Sequence, residues 1–138
     1  MQSDELRLEP LISEIPRLIE WVEARCALAG VAGEIAMKLA LVLEEAVANV
    51  IHHGLPGSPP PHRISVRLNI GADSVAAEVI DNGRPFDPTG TPPPDLSLPL
   101  EQRPPGGLGV HLMRELMDGL DYRRSGDSNI LRLHKARR

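Results

Sequence analysis

Ile64-Ser-Val-Arg-Leu-Asn-Ile70 alternates apolar and polar residues without a break, and no other stretch constrains the chain as tightly. Followed by Gly71-Ala-Asp73 and then Val75–Ile80, it predicts a β-hairpin with one buried face. A sheet buried on one face needs a second layer, and the preceding segments are of helical type. Ser13 is expected to cap a helix running to about Ala29, with Pro16 tolerated in its first turn and Gly30 ending it. Ile15, Leu18, Ile19, Val22 and Cys26 give that helix an apolar face. A second helix, rich in Ala, Leu and Glu, is expected from Gly33 to His53, with Gly54 as its stop. Glu5–Leu8 suits a short edge strand. Beyond the hairpin, Val110–Met117 reads as a short helix. Leu120–Arg124 and Ile130–His134 read as closing strands, joined by the Ser125-Gly-Asp-Ser-Asn129 turn. The order is strand, two helices, two strands, loop, helix, two strands. That is not the alternation of a doubly wound fold; it predicts an α/β (α+β) two-layer sandwich with helices on one face of a mixed sheet.

At 138 residues the chain is expected to be one domain, 1–138, with a single core. Trp21, Tyr122 and Phe86 are its only aromatic residues, so that core must be built from Leu, Val, Ile and Ala. The same scarcity argues against binding nucleic acid by base stacking, and a net charge of −4 argues against backbone binding. Cys26 is alone, which excludes an intramolecular disulfide and suits a reducing compartment; on its apolar stretch it reads as a small buried hydrophobe. Met1–Pro10 is polar and charged, unlike a signal peptide, and no apolar run is long enough to span a bilayer. A cytoplasmic protein without membrane contact is the expectation.

Three patterns carry chemistry. Glu45 and Asn49 are four residues apart, hence stacked on one helix face. A carboxylate there can accept a proton, and a carboxamide oxygen is a hard ligand suited to Mg²⁺. Asp81-Asn-Gly-Arg-Pro-Phe-Asp87 follows the second hairpin strand; a carboxylate at a buried strand end can accept a hydrogen bond from an exocyclic amine, with Gly83 letting backbone pass close to the base. Gly106-Gly-Leu-Gly109 opens a helix, where glycines and free N–H groups favour an anion such as a phosphate. Each pattern alone has an ordinary alternative: a solvated polar pair, a turn, a hinge. Between the last two lies a proline-dense segment, Pro88–Pro105, of a length that is usually a functional lid or a disordered segment.

Taken in order, these motifs resemble the ATP-binding domain of the gyrase, chaperone, histidine-kinase and MutL superfamily, with its Bergerat-type fold. Leu43-Glu-Glu-Ala-Val-Ala-Asn49 with His53-Gly54, Asp81-Asn-Gly-Arg-Pro-Phe-Asp-Pro88, and Gly107-Leu-Gly-Val-His-Leu-Met-Arg-Glu-Leu-Met-Asp118 are most similar to the anti-sigma-factor serine kinases. The resemblance runs from about Leu6 to Lys135. It implies ATP and Mg²⁺ as cofactors. It makes Glu45 the catalytic residue that orients or deprotonates the attacking hydroxyl, and Asn49 the Mg²⁺ ligand. Asp81 would read the adenine amine, with Gly83 beside the base. Gly107, Leu108 and Gly109 would hold the phosphates, and residues 88–106 would be the ATP lid. Arg84 or Arg103 would meet the γ-phosphate. His52, His53 and His62 lack further metal spacing, and the helix-end pair is expected to serve the last helical carbonyls. The resemblance further implies a homodimer that sequesters a sigma factor and phosphorylates a serine of a STAS-type anti-anti-sigma protein, switching partners with ATP or ADP. The other reading it allows is a non-catalytic ATP-binding module.

Overall fold

The computed structural model of the chain describes residues 2–90, 97–99 and 107–138. Strand β1 (Gln2–Leu8) leads through a 3₁₀ turn (Ile12–Glu14) into helix α1 (Ile15–Leu28). Helix α2 (Gly33–Asn49) follows, then strands β2 (Ile64–Ile70) and β3 (Ser74–Asp81). Helix α3 (Gly107–Leu116) and strands β4 (Gly119–Ser125) and β5 (Ser128–Ala136) complete the chain. The five strands form one sheet in the order β1-β2-β3-β5-β4.

The two-layer α/β class matches the expectation, but every neighbouring pair of strands is antiparallel rather than mixed. Two helices separate β1 from β2, and the three reversals this needs leave β2 antiparallel to β1. β3 and β4 each pair antiparallel with β5, which lies between them, so the two run parallel without touching.

Ser13 does not cap α1. The 3₁₀ turn precedes the helix, and the Glu14 carboxylate accepts the Glu9 N–H at 3.0 Å and an Arg17 N–H at 2.8 Å. Those partners hold the Glu14 carboxyl below the usual range. The other end is a Schellman motif: Val31 N–H bonds the Cys26 carbonyl at 2.9 Å and Gly30 N–H bonds Ala27 at 3.2 Å. Gly30 takes φ +73°, a conformation side chains resist. Arg137 reaches across from the end of the chain to donate to the Ala29 carbonyl at 3.1 Å and the Gly71 carbonyl at 2.6 Å.

The helices cover one face. Leu18, Val22, Leu39, Leu43 and Met113 from the helices are fully buried against Val66, Leu68, Val79 and Leu133 of the sheet. Cys26 is among them, and burial pushes its thiol up against the opposing charge of Arg137. On the other face, Glu5, Arg67, Glu78, Arg132 and Asp121 are cross-strand neighbours, one from each strand, in alternating sign. Arg67 Nε and Glu5 Oε1 are 3.6 Å apart. Among the described residues no helix is long and apolar enough to cross a membrane.

Candidate functional site

Glu45 and Asn49 occupy the last turns of α2, whose buried face is set by Leu39, Val42, Leu43, Ala46 and Val47. Both are half-buried. Among the described residues, no hydrogen bond or ion pair engages either side chain. Both polar ends therefore stay open to solvent or to a ligand.

Gly109 lies against this pair. A Cβ there would stand 2.7 Å from Glu45 Oε2 and 4.0 Å from Asn49 Nδ2. A side chain at Gly109 would push the Glu45 carboxylate aside. The helix begins at Gly107, not at Val110 as expected; glycine's poor helix propensity disguised its first turn. The N–H groups of that turn have no intrahelical acceptor and carry the positive end of the helix dipole. Val110, Met113 and Met117 anchor α3 in the core, fixing that turn over Glu45.

α2 ends at Asn49, and a wider π turn, Val50–Gly54, continues it where regular helix to His53 was expected. Leu55 N–H closes the turn on the Val50 carbonyl at 2.9 Å. The turn presents two carbonyls to the segment after β3: Arg84 N–H bonds Gly54 at 3.1 Å and Arg84 Nε bonds His53 at 3.0 Å. A Cβ on Gly83 would meet the Gly54 carbonyl oxygen head-on, 2.7 Å from its carbon and 2.9 Å from Asp81 Oδ1, so no side chain fits.

Asp81 closes β3 and is 5% exposed. Its Oδ1 accepts Gly83 N–H at 2.8 Å and Asn129 Nδ2–H at 3.0 Å; among the described residues no donor reaches Oδ2. Burial pushes the carboxyl up, and the Asn129 bond, the Gly83 bond and the Arg124 charge pull against it. Asp81 and Asn49 line one small cavity with apolar walls from Ala46, Val50, Val79 and Leu131. Larger clefts lie between α1 and α2, beside Ile19 and Met37, and on the open sheet face beside Glu5 and Arg7, but neither touches Glu45, Asn49 or Gly109.

The fold thus brings together Glu45, Asn49, Asp81, Gly83 and Gly109. Gly107 and Leu108 open α3. Arg84 is held at the Asp81 end, its guanidinium 5.8 Å from the Phe86 ring centre. Arg103 and most of the expected lid, residues 91–96 and 100–106, lie outside the described residues. His53 stacks on Phe86 at 5.9 Å, and the His62 ring bonds the Ser58 carbonyl at 3.0 Å. Among the described residues no three His, Cys, Asp or Glu side chains converge as metal ligands. Sequence reasoning missed Tyr122 and Asn129, and it read Gly54 as a helix stop without finding that its carbonyl packs against Gly83; these roles depend on contacts made by the fold. The donor set suits a magnesium-bound phosphate chain: a free carboxamide oxygen, a free carboxylate, and a helix start that Gly109 brings close to both.

Residues 8–135 match the family described as the histidine kinase-like ATPase domain. The serine/threonine-protein kinase BtrW of Bordetella bronchiseptica is 29% identical over 133 residues, 96% of this chain and 92% of that protein. The serine-protein kinase RsbW of Bacillus cereus (strain Q1) is 29% identical over 125 residues, 83% of this chain and 77% of the relative. Among solved structures, the RsbU and RsbW domains of Rv1364c from Mycobacterium tuberculosis align at TM-score 0.68 and 14% identity, covering 98% of this chain and 32% of that one. The histidine kinase domain of a blue-light activated histidine kinase from Erythrobacter litoralis EL346 aligns at 0.57 and 16% identity, covering 91% and 60%. These two likenesses are of fold. With its family match spanning nearly the whole sequence, the chain belongs to the histidine kinase-like ATPase domain family.

Proposed function

We propose that residues 1–138 form one ATP-binding domain that transfers the γ-phosphoryl group to a serine of a protein partner. The observation that carries this is the unpaired Glu45–Asn49 stack beneath Gly109, joined through one cavity to the buried Asp81. The kinase names of BtrW and RsbW support the same reaction class.

In this reading Asp81 Oδ2 accepts the adenine amine and the first turn of α3, from Gly107 through Leu108 to Gly109, faces the phosphates. Asn49 would hold Mg²⁺, which supplies charge neutralisation along the phosphate chain. Glu45 orients the serine hydroxyl and takes its proton as the serine oxygen bonds to phosphorus and ADP departs. The resemblance to anti-sigma-factor serine kinases extends the proposal to partners: a STAS-type protein carries the serine, a sigma factor is held in the alternative complex, and the kinase works as a homodimer in the cytoplasm.

Replacing Glu45→Ala should lower phosphoryl transfer to a STAS-domain substrate by about 10²–10⁴-fold, with ATP affinity by calorimetry nearly unchanged. Transfer that survives the substitution would remove Glu45 from the reaction and favour a binding module.

A further inference from the structure

Asn129 opens the inner part of β5 and is 3% exposed. It stands directly across from Asp81 on one side and from Arg124 on the other. Its amide is fully engaged. Nδ2 donates to Asp81 Oδ1 at 3.0 Å and to the Arg84 carbonyl at 2.8 Å. Oδ1 accepts Phe86 N–H at 3.3 Å and the Tyr122 hydroxyl. Two donors and two acceptors are all an amide possesses. Reversing it would set its oxygen against a carboxylate and a carbonyl, so the partners admit a single orientation.

That fixed amide constrains Asp81. With Oδ1 bound twice, by Asn129 and by Gly83, the carboxylate cannot rotate without abandoning both bonds. Its other oxygen is left for a ligand. The same amide holds the backbone at Arg84 and Phe86, and Phe86 walls the cavity that Asp81 lines.

We infer that Asn129 is a positioning residue for base recognition: it dedicates Asp81 Oδ2 to the exocyclic amine of a purine and fixes the neighbouring wall. This rests on the nucleotide site proposed above. The test measures calorimetric binding of Mg-ATP and of purine riboside triphosphate, which lacks the 6-amino group, to wild type, Asn129→Asp and Asn129→Ser. Hydrogen exchange at the Gly83 amide is followed in the same proteins without nucleotide.

Wild type should prefer ATP by about tenfold or more, the size of one hydrogen bond to a charged acceptor. In the variants the preference should fall toward unity while affinity for the analogue stays within about threefold. A residue that served folding alone would weaken both ligands alike. Gly83 exchange should accelerate in the variants while Val79 exchange does not. Asn129→Ser keeps the question answerable if the added carboxylate of Asn129→Asp unfolds the chain. A folded variant that retains the wild-type preference and slow Gly83 exchange overturns the inference. If wild type binds neither nucleotide, the nucleotide reading falls and takes base recognition with it. Gly83 exchange then still decides whether Asn129 holds the carboxylate.

Discussion

Gly109→Ala should raise stability and lower activity at once, and the structure sets the size of both effects. The new Cβ would stand 2.7 Å from Glu45 Oε2. Ordinary contact for a carbon atom begins at about 3.5 Å, so the carboxylate must retreat by about 0.8 Å. It is the far end of a flexible side chain, and the retreat itself costs little. Alanine is favoured over glycine within a helix by up to about 1 kcal/mol. For a chain of this length that corresponds to a rise in Tm of about 3–5 °C. A catalytic group displaced by close to an ångström loses about 10²-fold in rate, so single-turnover transfer at saturating ATP should fall by about 30- to 100-fold. Thermal melts and a rapid-quench phosphoryl-transfer assay on the same preparation check both signs. Undiminished transfer would mean that Glu45 does not act at the reacting hydroxyl. A lower Tm would mean that the Cβ meets something less yielding than the end of Glu45.

Two further substitutions test the frame around the site. Because burial raises the Asp81 carboxyl, the fold favours its protonated form; that stabilisation is whole below the ordinary value of 3.8 and is lost as pH rises through the raised one. Asp81→Asn keeps an acceptor for Gly83 and Asn129, so its Tm at pH 7 should exceed wild type, with the gain shrinking toward pH 4 while ATP binding is lost at neutral pH. A gain equal at both pH values would refute the linkage. Arg137→Ala removes two charged donors to the Ala29 and Gly71 carbonyls. It should cost about 2 kcal/mol in chemical denaturation and leave ATP affinity unchanged; loss of affinity would show that this corner communicates with the site.

The alternation of Ile64–Ile70 and the face of α2 made the layers legible, because periodicity reports which side is buried. The local signals also made Glu45, Asn49 and Asp81 readable as candidates. The all-antiparallel pairing was not readable, since it depends on which strands lie side by side, and β5 separates the parallel β3 and β4. The α1 start was misread because a 3₁₀ turn moved the first turn past Ser13 and gave Glu14 the local contacts. The π turn has no composition of its own, and Gly54 read as a stop although its carbonyl is the surface against which Gly83 packs. Asn129 read as the end of a turn. The hairpin is tighter than that, with Gly126 at φ +58° and pairing already resumed at Ser128, so Asn129 falls inside the sheet. Its four partners lie 7 to 48 residues away in sequence, beyond any local pattern.

The alternating row on the uncovered sheet face bears on how two copies could meet. Laid face to face about a two-fold axis along the strands, Glu5 would lie over Asp121, Arg67 over Arg132, and Glu78 over itself. A two-fold axis across the strands would place each residue over its own twin. Both in-register stackings oppose like charges along the whole row, while a shift by one strand would oppose unlike ones. The exposed face thereby discourages accidental self-stacking, and a pair of copies must either meet elsewhere or adopt that offset.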